Sequence, residues 1–130
     1  MPISSASINP LSTQALGTIP AIFRDDNASY YSVGALANGD TQTIIDGSYA
    51  SLPDSAVLLV VTDDATWGRS CGVFMVNSTA VYELVDTASK YAASDAGTFI
   101  RIYLSSTSLI IKNSTGADLA AGAVKIYRLA

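Results

Sequence analysis

The chain predicts an all-β fold, about eight short antiparallel strands in a sandwich or jelly roll, preceded by an extended N-terminal arm. Three observations carry this. Runs rich in β-branched and aromatic residues recur at roughly 8–15-residue intervals, with turn formers between most of them. No segment sustains a helical period with caps. The first 23 residues carry no charge and are punctuated by Pro2, Pro10 and Pro20, which rules out a continuous helix.

In the arm, Ile3, Ile8, Leu11, Leu16, Ile19, Ile22 and Phe23 recur at short intervals. An extended peptide with an apolar anchor every few residues suits grooves on a neighbouring surface. The alternative is an edge strand and loop of the same domain; a partner-docking arm is the expectation. The segment has no basic start and no contiguous apolar core, so it is not a secretory signal. Arg24-Asp25-Asp26-Asn27 forms a turn cluster taken as a hinge. The division is therefore 1–28 for arm and hinge and 29–130 for a β-sandwich body.

The body opens with a strand over 30–35, and a second over 41–45 follows the Asn38-Gly39-Asp40 turn. Residues 56–62 are continuously apolar, which predicts a strand covered on both faces. A turn over 63–68 leads to a strand over 70–76, and Asn77-Ser78-Thr79 leads to another over 80–85. Residues 89–92 suit a short extra strand. Residues 99–104 alternate, with Ile100, Ile102 and Leu104 on one face and Phe99, Arg101 and Tyr103 on the other. Residues 108–112 make the hairpin partner, a turn spans 113–116, and 124–129 is the final strand. The helix candidate, 118–123, is too short and contains Gly122.

A length of 130 residues suits one domain. Charged residues make up 14% of the chain, against roughly 25% in ordinary soluble domains. So little charge beside 49% hydrophobic residues predicts that surface is hidden against other chains. The net charge is −4 and the seven basic residues are scattered singly, which leaves no footprint for nucleic acid or an anionic membrane. The longest apolar run, 56–61, falls far short of the roughly 18 residues of a membrane span.

The chain has no histidine, which removes Ser-His-Asp and Cys-His catalysis and His-ligated zinc. No enzyme, cofactor or metal site is expected. Cys71, the single cysteine, excludes an intrachain disulfide and suits a small buried hydrophobe. Asp63 and Asp64 lie close to Trp67, a pattern that suits a glycan contact. Solvated turn acids beside a loop tryptophan that caps the core or an interface are the plainer reading. Two acids also fall short of the six to eight oxygens that calcium takes. The sequons at Asn27, Asn77 and Asn113 lie in turns already rich in Asn and Ser.

The body carries a familiar strand grammar: Ser-Val-Gly-Ala-Leu-Ala-Asn-Gly at 32–39, Val57 to Val61 followed by Thr-Asp-Asp, and Gly-Arg-Ser-Cys-Gly-Val-Phe-Met-Val at 68–76. Phe-Ile-Arg-Ile-Tyr-Leu at 99–104, Leu-Ile-Ile-Lys-Asn-Ser-Thr-Gly at 109–116 and Val-Lys-Ile-Tyr-Arg-Leu at 124–129 complete it. This resembles the small β-sandwich or jelly-roll modules of bacteriophage virion surface proteins, namely head-decoration (cement) proteins and the C-terminal modules of tail fibres and tailspikes. The resemblance implies a homotrimer on the outer surface of the particle and brings no catalytic residues. A short apolar arm in place of a fibrous shaft favours a decoration protein bound to the major capsid protein or another virion protein. A receptor- or glycan-binding tail tip is the alternative.

Overall fold

The computed structural model describes residues 20–23, 30–45, 47, 55–65, 68–95 and 99–130. Nine strands form within them: β1 Tyr31–Ser32, β2 Thr41–Ile45, β3 Ala56–Asp64, β4 Gly68–Val76, β5 Val81–Asp86, β6 Tyr91–Ala92, β7 Ile100–Ser105, β8 Ser108–Asn113 and β9 Val124–Arg128. The helical content of the described residues is two single 3-10 turns, Ala21–Phe23 and Thr87–Ser89. The all-β prediction holds.

Two sheets face one another. One has the order β1-β9-β3-β4-β5, the other β2-β8-β7-β6. Every pairing is antiparallel except the short β6–β7 contact. The core lies between the sheets. Leu58, Val60, Phe74, Val76, Val124 and Ile126 point in from the first, and Ile44, Ile45, Ile100, Ile102, Leu109 and Ile111 from the second. Ile44 and Ile45 are adjacent yet both buried, because the β2–β8 register shifts between Thr43 and Ile45 and lets the extra residue turn inward.

Polar groups stitch the layers together. Tyr91 on β6 reaches Thr62 on β3 and Ser70 on β4 through its hydroxyl, at 2.8 and 2.9 Å. The Gln42 side-chain amide donates to the Tyr31 hydroxyl and accepts from the Gly34 backbone at 3.0 Å. Asn113, fully buried, donates to the carbonyls of Leu36 and Ala117 and accepts from Thr115, closing the end of β8. The Asn38-Gly39 turn needs φ of +90° at position 39, where a side chain would be strained.

Several boundaries differ from the expected ones. The first strand narrows to Tyr31–Ser32, because Val33 bonds Val124 and Gly122, and Leu36 exchanges two bonds with Leu119 as an isolated bridge, rather than extending the ladder. β3 and β4 take up half of the turn expected over 63–68, as the direct pairs Asp63↔Arg69 and Asp64↔Gly68 extend the hairpin. Residues 118–123 form a bridge and a turn.

Ile22 and Phe23, two of the seven expected docking anchors, sit on the body itself. Ile22 is 5% exposed within the core, Phe23 packs against it, and Arg128 Nη1 donates to the Ile22 carbonyl at 3.4 Å. Ile3, Ile8, Leu11, Leu16 and Ile19 lie outside the described residues, as do the hinge at 24–27 and the expected boundary between 28 and 29.

Candidate interaction surface

The direction of each side chain on the five-stranded sheet follows from the pleat: successive residues alternate faces, and directly paired residues share one. In β3, Ala56, Leu58, Val60 and Thr62 are buried, while Val57, Leu59 and Val61 are half-buried and point outward. Among the described residues the inner face is buried against the second sheet, while the outer one is partly covered, at Cys71 by Thr87 and at Tyr127 by Tyr30.

The neighbouring strands continue the outer face. Val57 pairs with Met75, Leu59 with Val73 and Val61 with Cys71 across β3–β4. Beyond β4, Met75 pairs with Tyr82 and Val73 with Val85. On the other side Leu59 pairs with Tyr127 and Val61 with Lys125. The result is a contiguous apolar grid over β9, β3, β4 and β5, with Asp63 and Arg69 closing one end as an exposed ion pair at 3.1 Å. Lys125 marks a corner, its ammonium 5.0 Å from the ring of Tyr30, which in turn packs on Tyr127 at 5.6 Å.

The outer edge of this sheet is β5. Tyr82, Leu84 and Val85 are each about half exposed. Leu84 is the extra residue of a bulge, because Glu83 faces Phe74 and Val85 faces Val73. The bulge and the charges of Glu83 and Asp86 are what blunt an edge that would otherwise template further strands. Partial burial, and then the charge of Asp86, hold the Glu83 carboxyl above its ordinary range.

A depression of about 470 Å³ opens at the Asp63–Arg69 end, lined by Leu59, Val61, Cys71 and Thr87 with the ion pair at its rim. Cys71, expected in the core, lies half-buried on the outer face as a free thiol 3.9 Å from the Thr87 hydroxyl. Of the glycan candidates, Asp63 is engaged by Arg69, Asp64 is the last residue of β3, and Trp67 lies outside the described residues. Asp63 and Asp64 are consecutive strand residues and so point to opposite faces.

The second sheet presents a different outer surface. Thr41, Thr43, Lys112, Arg101 and Tyr103 line it, and Asp95 neutralises Arg101 at 3.5 Å and Lys112 at 3.3 Å. Arg101 is only 6% exposed. The asymmetry between the two faces was within reach of the sequence, which interrupts 99–104 and 108–112 with charge but leaves 56–61 and 71–76 without any. Asn77 and Asn113 serve as turn formers: each side-chain oxygen accepts from the backbone and hydroxyl of the threonine two residues on. No family model, curated protein or solved structure matches the chain.

Proposed function

We propose that this protein is a non-catalytic structural module that acts by burying apolar surface against other protein. Its proposed setting is the outer surface of a bacteriophage particle, as a decoration or cement protein. Its partners there would be copies of itself, arranged as a homotrimer, and the major capsid protein or another virion protein.

The observation that carries the assembly reading is the apolar outer face of the five-stranded sheet, partly exposed on β3 and β4 and about half exposed at Tyr82 and Val85. Contiguous exposed apolar surface of this kind marks interaction sites in soluble proteins. The low charge and the absence of histidine support a non-catalytic role. The virion setting draws on the strand grammar of residues 31–129 and on the uncharged apolar segment before it.

Particles purified from the culture that makes this chain provide the test. The reading expects the chain in intact particles at a stoichiometry comparable with that of the capsid protein, by quantitative mass spectrometry. Recovery only from the soluble fraction overturns it. A second reading, a glycan-binding tail tip, is favoured by the depression beside the Asp63–Arg69 pair. Glycan-array binding abolished by Asp63→Asn would select that reading over the clamp.

A further inference from the structure

We infer that the outer face of β3 and β4, extended by Tyr127 on β9 and by Tyr82 and Val85 on β5, is the surface on which a second copy of this chain seats, sheet on sheet. This rests on the assembly reading above and adds to it a two-fold contact, because a self-complementary face pairs two copies, whereas a homotrimer closes through head-to-tail contacts of another kind.

Three properties of the face select a second copy. First, the outward residues of β3, Val57, Leu59 and Val61, are as apolar as the inward Leu58 and Val60. Among the described residues this strand is fully buried on one side, whereas continuous apolar runs belong to strands buried on both faces. Second, the face is self-complementary in charge. Its centre at Leu59 and Val73 carries none, and its charges gather at one end, the Asp63–Arg69 pair and Lys125 against the Tyr30 ring. A two-fold axis lying in the interface and across the strands lays that end over the partner's Val57–Met75 end, so no like charges meet.

Third, the size fits. Four strands about 4.8 Å apart and some five residues of rise, with side-chain margins, give a footprint of roughly 400 Å² in projection. Side-chain relief brings the accessible area towards the ~600 Å² per partner of a weak but specific pair. Two such faces pack at about 10 Å separation, as in the two layers of a sandwich.

The full chain should be followed by sedimentation velocity from about 1 to 100 µM, which brackets the affinity of so small an interface. The expected result is a mass that rises with concentration from 13.5 kDa to a multiple of it. Val73→Lys, which puts a charge at the centre of the face, should weaken association at least tenfold with unchanged far-UV circular dichroism. Alkylation of Cys71, slow at high concentration in the native chain, should then become fast. Should Val73→Lys fail to fold, Val85→Lys decides, because that position is 49% exposed and its chain folds without needing it buried.

Three results would overturn the inference. A monomer throughout, with reactive Cys71, assigns the face to a foreign protein. A monomer with Cys71 protected assigns it to residues 1–19 of the same chain. An oligomer indifferent to both lysines, with Cys71 reactive, places self-association elsewhere. Each differs from failure of the virion reading, which the particle experiment measures separately.

Discussion

The Tyr91 hydroxyl donates to Thr62 Oγ1 at 2.8 Å, joining the shortest strand of one sheet to the longest hairpin of the other inside the core. The Ser70 hydroxyl, 2.9 Å away, supplies the third member. The ring packs edge-on against Phe74, with centroids 6.2 Å apart, and lies where a side chain at Gly72 would fall. The site thus combines an aromatic wedge with a satisfied polar bridge. Tyr91→Phe keeps the wedge and strands two buried hydroxyls, an expected loss of about 1–3 kcal/mol. Denaturant midpoints of the two chains check it, and equal midpoints would show that the bridge adds nothing.

The same tyrosine sets an alkaline limit. Burial, opposed in part by its bonds to Ser70 and Thr62, raises the Tyr91 phenol above its ordinary 10.0. A folded value above the unfolded one means that the stabilisation is complete below pH 10 and is lost as pH rises through the folded value. Tyr103, raised mainly by partial burial, adds its own loss in the same window. Stability measured from pH 8 to 11 should fall above pH 10, and the gap between the native chain and Tyr91→Phe should narrow there. A gap that widens would refute the assignment.

Asp95 is the counter-ion of a cross-strand cation pair. Arg101 and Lys112 are directly opposed on β7 and β8, and both reach it. Asp95→Ala leaves a buried guanidinium beside a like charge. Asp95 is itself about half exposed, so the expected loss is discounted to about 1–2 kcal/mol, smaller at high salt. Thermal melts of both chains at low and high salt measure it.

Asn113 tests how much one side chain organises a loop. Replacing it with alanine strips the Thr115 amide of its partner and takes one of two donors from each of the Leu36 and Ala117 carbonyls, which keep the Leu119 amide and the Thr115 hydroxyl. The expected loss is about 2–4 kcal/mol. Hydrogen exchange should speed up at Thr115 and at Gly39, whose amide bonds the Asn113 carbonyl at 2.6 Å. Unchanged protection there would mean that the backbone alone holds the loop.

Ile22 belongs to the core of the body. Ile22→Ala should cost about 2–4 kcal/mol, as for other buried isoleucines. Deletion of residues 1–19 should leave the melting temperature within a few degrees of the full chain. A deletion that unfolds the protein would make the whole segment part of the domain.

The period-2 pattern of 99–104 made β7 legible with its faces assigned, because Ile100, Ile102 and Leu104 alternate with Phe99, Arg101 and Tyr103. The β3–β4 hairpin was legible as strands but not in length, since Asp63 and Asp64 carry turn composition while the ladder carries them into the sheet. For the outer face of β3 the pattern carries half of the answer, for a physical reason. An unbroken apolar run states that both sides of a strand avoid water, but not whether the cover comes from the same chain. Ile22 was grouped with the arm because its apolar spacing continues that of residues 3–19; only tertiary contact with Arg128 and the core separates it. The Tyr91 bridge joins residues 21 and 29 positions apart, and no local pattern encodes such a meeting.

The place of β9 between β1 and β3 has a consequence for synthesis. β3 leaves the ribosome about sixty residues before β9, a delay of roughly 3–12 s at ordinary elongation rates. Throughout it, one backbone edge of the most apolar strand waits for a partner not yet made. That strand is where nascent chains would first pair with each other, and where a chaperone would have the most to protect.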